Sequence, residues 1–363
     1  MTKNNDKFLN LPQGTEGIHL EEALRHRRLT RELNDLYTSW GYLPVNTPVF
    51  DFYDNYRTFL EGKAGENIYR LMDRDGDLLL LRSDVTLFLA RQMGLYLKDA
   101  DLPLRVSYSD TILRHQNRED ISKNEFFQTG VELIGLDGFD GDMEILLLLN
   151  RVLGISGVPF HLHLGSRNFY NQLLPDPRQN RAGREPVQTR DKAELTALLK
   201  EAFGSGEAGV YSRFLMFIGT AEEFSRLLEL EGKVLPPPAL KEARYILKVM
   251  NHLREVAPEG SFRADLSEIG SQPYHTGIVF QAYMDGIDSA VASGGRYDNL
   301  LENFGFRAPS VGFSILLRKI EDLMNRQNRF EDPGKPEKAP GSSLLERYRA
   351  AETMRKEGRI VLL

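Results

Sequence analysis

The sequence predicts an α+β fold: an antiparallel sheet flanked by helices, with a helical insertion and a truncated C-terminal α/β tail. Three observations predict it. Strand-like segments occur both before and after a polar stretch patterned for helices. That stretch occupies residues 176–260. A charged run with Pro333, Pro336 and Pro340 then precedes one last helix and strand. The expected organisation is a core of residues 1–175 and 261–325, the insertion at 176–260, a linker at 326–341 and a short tail at 342–363.

Each element has its own signal. Leu20, Ala23, Leu24, Leu29, Leu33, Leu36 and Tyr37 recur near helical spacing, so a long amphipathic helix runs from Leu20 to Trp40 and stops at Gly41. From Tyr42 to Phe50 the chain reads as extended. Pro44 and Pro48 remove two backbone donors there, which suits a sheet edge or an interface. Leu78–Arg82 is a buried strand after the Asp75-Gly76 turn; a helix from Asp84 to about Leu97 and strands at Leu104–Gln116, Phe126–Ile134 and Phe160–Leu164 follow. Helices near Asp191–Ala202, Tyr211–Phe217, Ala221–Leu230 and Pro238–Val256 fill the insertion, punctuated by Gly204-Ser205-Gly206 and Pro236-Pro237-Pro238. Strands return at Gly277–Met284 and Ser289–Ser293, and a helix is expected from Ser310 to about Asn325. Ser343 and Glu346 form a capping box before Leu344–Lys356, and Gly358 leads into a strand at Arg359–Leu363.

Composition narrows the function. The 363 residues suffice for two or three domains, and 41% apolar with 27% charged residues is a globular balance. No apolar run approaches the roughly 20 residues that cross a bilayer. Met1 to Lys7 carries no apolar stretch behind its basic residues, so no secretory signal is read and a cytoplasmic protein is expected. Cysteine is absent and histidines number seven, which leaves no thiol chemistry and little for zinc; neither metal nor cofactor is expected. The net charge of -6 has the wrong sign for a surface that tracks a phosphate backbone.

Chemistry concentrates around Glu125–Ile134. Strand alternation places Gln128, Gly130 and Glu132 on one face, which makes either a polar pocket floor suited to an ammonium or imidazole N–H, or a solvated sheet face. Arg114 ends the preceding strand, offering its fork to a carboxylate or phosphate, or else pairing within a charged hairpin. His161 and His163 share a strand face but lack a third ligand nearby, so no metal is assigned. Gly294-Gly295 either cradles a phosphate or marks tight packing.

From about Leu9 to Leu323 the chain resembles the catalytic core of a class II aminoacyl-tRNA synthetase, in particular histidyl-tRNA synthetase. The first helix with Gly41, Tyr42 and Thr47-Pro48 resembles that class's dimer-forming first motif, Arg114 through Glu132 its second, and Val311-Gly312-Phe313 with the following helix its third. Leu81-Arg82-Ser83-Asp84-Val85-Thr86 is similar to the family's substrate-binding turn, and Gly294-Gly295-Arg296-Tyr297-Asp298 to its glycine-rich stretch. The resemblance implies a histidine pocket of Asp84, Thr86, Arg114, Gln128, Glu132 and Tyr274, with His275 beside it.

Departures from the family matter as much. Its catalytic arginine falls on Gly270 in Ile269-Gly270-Ser271-Gln272-Pro273-Tyr274-His275, its ATP-holding arginine on Lys319 beside Arg318, and a glutamate of its second motif on Gln116. Losing one preorganised group at developing charge costs roughly 3 kcal/mol, so two losses should abolish adenylation. The anticodon-binding domain is expected to be reduced to the tail after Gly341. A pocket without adenylation machinery resembles the synthetase-like regulatory subunits of short-form ATP phosphoribosyltransferase. That likeness implies a non-catalytic homodimer that joins the short catalytic subunit in a hetero-octamer, activates it and confers feedback inhibition by L-histidine, with no tRNA or membrane partner. The alternatives are a divergent histidyl-tRNA synthetase or other amino-acid-activating enzyme, and a scaffold whose pocket is vestigial.

Overall fold

The structure is a computed structural model that describes residues 14–15, 17–60, 65, 67–98, 101–115, 124–330 and 336–363. Helix α1 (Leu20–Ser39) buries Leu29, Leu33 and Tyr37, one turn apart on a single face, and ends before Gly41, whose φ is 85°. Strand β1 (Leu43–Pro44) then takes the edge of the main sheet, with Leu43 opposite Val106. Pro44 fits there because no strand lies on its other side. Next come β2 (Phe50–Phe52), β3 (Arg70–Met72) and β4 (Leu78–Leu81), a separate antiparallel sheet in the order β2-β4-β3. Asp84 caps α2 (Val85–Tyr96), its Oδ1 accepting from Leu87 N at 3.0 Å.

The longest strand pairing among the described residues is the ten-residue match of β5 (Leu104–Leu113) with β6 (Glu125–Ile134). Gln116 and the loop Asn117–Lys123 lie outside the described residues. Against β12 packs α3 (Gly138–Gly154), with most of its surface buried. Strand β7 (Phe160–Ser166) leads into α4 (Arg167–Leu173), and a helical series follows: α5 (Pro177–Gln188), α6 (Lys192–Leu215), α7 (Ala221–Glu231) and α8 (Pro237–Val256). Helix α6 breaks at Gly204, where φ is 81°, at the punctuation the sequence shows. The short strand β8 (Ile218–Gly219) within this series pairs with β9 (Phe262–Asp265) and so extends the main sheet.

Strands β10 (Ile278–Met284), β11 (Ala292–Arg296) and β12 (Ser310–Leu316) fill the middle of a sheet ordered β1-β5-β6-β12-β11-β10-β7-β9-β8. Every pairing from β5 across to β7 is antiparallel. The β1–β5 and β7–β9 pairings are parallel, so the sheet is mixed at its margins rather than wholly antiparallel. In the second case the parallel return follows from the long helical crossover between the two strands. Ser310–Leu316 is also a correction: the expected helix begins only at Leu317, with α9 (Leu317–Arg326). Ser310 to Phe313 are buried between β6 and β11, where strand pairing satisfies backbone groups that a helix could not place. Finally β13 (Glu337–Lys338), α10 (Leu344–Lys356) and β14 (Val361–Leu362) form a parallel β-α-β unit with Glu337 opposite Val361. Its predicted capping box is present: Glu346 N donates to Ser343 Oγ at 3.2 Å, and the Glu346 carboxylate accepts from Ser343 N.

Candidate functional site

One face of the central sheet opens into a cleft of about 680 Å³. Alternation along β6 turns Gln128 and Glu132 into it, while Thr129 faces α1 and bonds Ser109 Oγ at 3.0 Å. All seven residues singled out in the sequence line this cleft: Asp84 and Thr86 at the start of α2, Arg114 after β5, Gln128 and Glu132 on β6, and Tyr274 and His275 on the loop before β10.

Glu132 is the deepest polar group, 1% exposed. Three hydroxyls donate to it: Thr86 Oγ1 at 2.6 Å and Tyr108 OH at 3.5 Å to Oε1, and Tyr297 OH to Oε2. Burial nonetheless pushes its carboxyl up to about 8, against the opposing pull of Thr86 and Tyr297. Gly312 makes the arrangement possible, because a Cβ there would collide with Glu132 Oε2 and lie 2.5 Å from Val131 O. A carboxyl held this way meets a ligand with a donor or a positive charge, not an anion.

A second carboxylate stands at the cleft's other wall. While Asp84 Oδ1 caps α2, its Oδ2 accepts from Tyr274 OH at 3.3 Å and Gln272 Nε2 at 3.4 Å, and lies 3.8 Å from Arg114 Nη2. Arg114 is oriented by its Nε donating to Ser83 O at 2.7 Å, and Gln128 Oε1 accepts from Val85 N at 3.5 Å. Two acidic groups, one amide and one guanidinium thus converge. Such a set suits a small zwitterion: acceptors for an ammonium and a ring N–H, and a fork for a carboxylate. The sequence reading missed Tyr108 and Tyr297. The alternation that selected Gln128 and Glu132 would have found Tyr108, which lies directly opposite Gly130.

The positions where the synthetase pattern has cations hold none that faces this cleft freely. At Gly270 φ is 76°, and a Cβ would collide with His275 Nδ1, so a longer side chain there would displace the His275 ring. Burial, reinforced by the charge of Arg167, lowers His275 to about 3 and leaves it neutral; its buried Nδ1 has no hydrogen-bond partner among the described residues. Lys319 Nζ donates to Ser289 Oγ at 2.7 Å and Ala290 O at 3.1 Å, and Arg318 pairs with Glu22, Glu321 and Asp322.

The remaining candidates are tied into the fold. Gly294 and Gly295 lie inside β11, hydrogen-bonded to strands on both sides, which is the packing reading rather than a phosphate cradle. Arg296 is buried against Asp142 and Asp298. His161 Nδ1 meets Ser261 Oγ at 2.7 Å, and His163 Nδ1 meets Asp265 Oδ2 at 3.0 Å. Among the described residues, no helix is long and apolar enough to cross a membrane, and no cluster of three or more metal-ligating side chains occurs.

Comparison with known proteins places this geometry. Residues 14–320 match the histidyl-tRNA synthetase family. A protein of Moorella thermoacetica named ATP phosphoribosyltransferase regulatory subunit is 33% identical over 321 residues, covering 86% of this chain and 81% of its own. One of the same name from Clostridium kluyveri is 28% identical over 360 residues, covering 96% and 91%. Among solved structures, an ATP phosphoribosyltransferase regulatory subunit/histidyl-tRNA synthetase from Bacillus halodurans superposes with a TM-score of 0.84 at 22% identity, over 98% of this chain and 92% of that one. A histidyl-tRNA synthetase from a Nostoc species gives 0.78 at 19%, over 97% and 85%. These two likenesses establish the fold.

Proposed function

This chain belongs to the histidyl-tRNA synthetase family, among its ATP phosphoribosyltransferase regulatory subunits, and from that premise we propose that it activates a separate short catalytic chain and makes that chain sensitive to histidine. It is a sensor in histidine biosynthesis, acts in the cytoplasm and catalyses no reaction itself. The observation that carries this reading is a contrast within one cleft. Glu132, Asp84, Thr86, Gln128 and Arg114 supply acceptors and a cation for L-histidine, while Gly270, which the sequence resemblance aligns with an activating arginine, carries no side chain and stands against the His275 ring. Binding without activation is what such a site does. Tyr274 and His275 line the same space, so the bound amino acid bridges the α2 start and the loop before β10. That bridge supplies differential binding energy between two arrangements of the assembly, which regulation requires. The assembly is a hetero-octamer built on homodimers of this chain, and neither tRNA nor membrane takes part.

Two titrations of the full chain test it. L-Histidine should bind saturably by calorimetry, and histidine should stimulate no exchange of pyrophosphate into ATP. Exchange would instead assign an amino-acid-activating enzyme, and absence of binding would leave only a scaffold.

A further inference from the structure

A second concavity, of about 820 Å³, lies on the α1 side of the sheet, away from the face that carries Glu132. Arg25, Arg28, Leu29 and Glu32 line it at i, i+3, i+4 and i+7, one face of α1. Leu29, Ile155, Met324 and Phe330 make an apolar floor, and Arg329 stands opposite α1. Its three arginines differ in how they are held. Arg329 is fixed, Nη1 donating to Gly157 O and Nε to Gln327 Oε1, both at 2.7 Å, and its Nη2 keeps donors to spare. Arg25 lies over the Phe330 ring, 5.8 Å from its centroid, donates from Nε to Glu21 O at 3.4 Å and has Nη2 3.8 Å from the Glu21 carboxylate. Arg28 makes no hydrogen bond or ion pair among the described residues.

We propose that this concavity is a second ligand site, for a nucleoside phosphate, with the base over Phe330 and the apolar floor and the phosphate between Arg28 and Arg329. The chemistry selects that class. Guanidinium groups call for phosphate or carboxylate, and the floor calls for a flat or apolar body attached to it. Glu32 on the same rim accepts only, so the ligand brings a donor such as a ribose hydroxyl or an exocyclic amine, which a fatty acid lacks. A long polyanion is disfavoured because the arginines converge on one concavity of a chain whose net charge is -6. None of this depends on the histidine reading.

The test is calorimetry on the full chain with AMP, ATP and inorganic phosphate, comparing wild type with Arg28→Ala, Phe330→Leu and, outside this concavity, Lys319→Ala. AMP and ATP should bind, with inorganic phosphate at least about 10-fold weaker. Arg28→Ala should weaken both nucleotides about 10-fold, the size of one charge-assisted hydrogen bond. Phe330→Leu should weaken AMP, and Lys319→Ala should leave both unchanged. The proposal is overturned if no nucleotide binds, if phosphate matches AMP, or if Lys319→Ala weakens binding and Arg28→Ala does not.

Discussion

Glu132 holds two opposing requirements: it must be buried to give a ligand a strong acceptor, and burial alone drives its carboxyl toward the neutral form, about 8. A folded-state value above the ordinary carboxylate range means its contribution to stability is full below about pH 4.5 and is lost as pH rises through about 8. The unliganded chain should therefore melt at a lower temperature at pH 9 than at pH 6, and Glu132→Gln should flatten that dependence in thermal scans. A ligand whose positive group needs the carboxylate should bind more tightly as pH rises across the same window, releasing a proton detectable by calorimetry in buffers of different ionisation enthalpy. Glu132→Ala and Gln128→Ala should each weaken histidine by about 10-fold or more, from roughly 1.5–3 kcal/mol per hydrogen bond to a charged group; calorimetry returning wild-type affinity in both would place the effector elsewhere. Asp84→Asn separates structure from binding. Its Oδ1 still caps α2, so stability should hold within about 1 kcal/mol, while histidine affinity falls as the charge at Oδ2 is lost. At this scale the sequence was most legible where side-chain period alone assigns a face. It was least legible at Tyr297, which reaches Glu132 from β11's end across two strand pairings, a proximity only topology creates.

Elements were legible in proportion to how one-sided their burial is. Helix α1 and the capped α10 show clear signals because one flank of each meets solvent. Helix α3 shows less of a flank, since Leu146, Leu148 and Leu149 are all fully buried and only a narrow stripe of Asp140, Glu144, Leu147, Arg151 and Gly154 reaches toward solvent. The same two-sided burial hid the strand character of Ser310–Leu316. Energetics follow these differences. The unit β13-α10-β14 has a core of only Ala339, Ala351, Met354 and Val361, so its amides should exchange with deuterium well before those of α3. Protection of α10 equal to that of α3 would show that something else covers it. Near the first motif, Val49, Phe50, Phe52 and Met72 remain exposed, at 54%, 55%, 50% and 70%. A homodimer that buries them is expected, and Phe50→Asp with Phe52→Asp should convert it to a monomer in light scattering.

On the scale of the whole molecule, the nine-stranded sheet sets a ligand cleft on one face and the α1 helix on the other, with the helical series extending the far edge through β8 and β9. Helix α8 of that series is joined to α3 by Tyr245 OH, which donates to Asp142 Oδ2 at 2.5 Å, and Asp142 also accepts from Arg296 at the end of β11, the neighbour of Tyr297 in the chain. The Tyr297–Glu132 pair and the bonds that hold α8 therefore meet at two adjacent residues, Arg296 and Tyr297, through which a ligand at Glu132 would bias the packing of α8. The regulatory role proposed for this chain runs through that cleft. The most direct measurement is the turnover of a short ATP phosphoribosyltransferase catalytic chain, alone and mixed with this one, with and without L-histidine. Mixing should raise turnover, histidine should lower it again, and Glu132→Gln should keep the first effect and blunt the second. Turnover and histidine sensitivity unchanged by mixing would contradict that role.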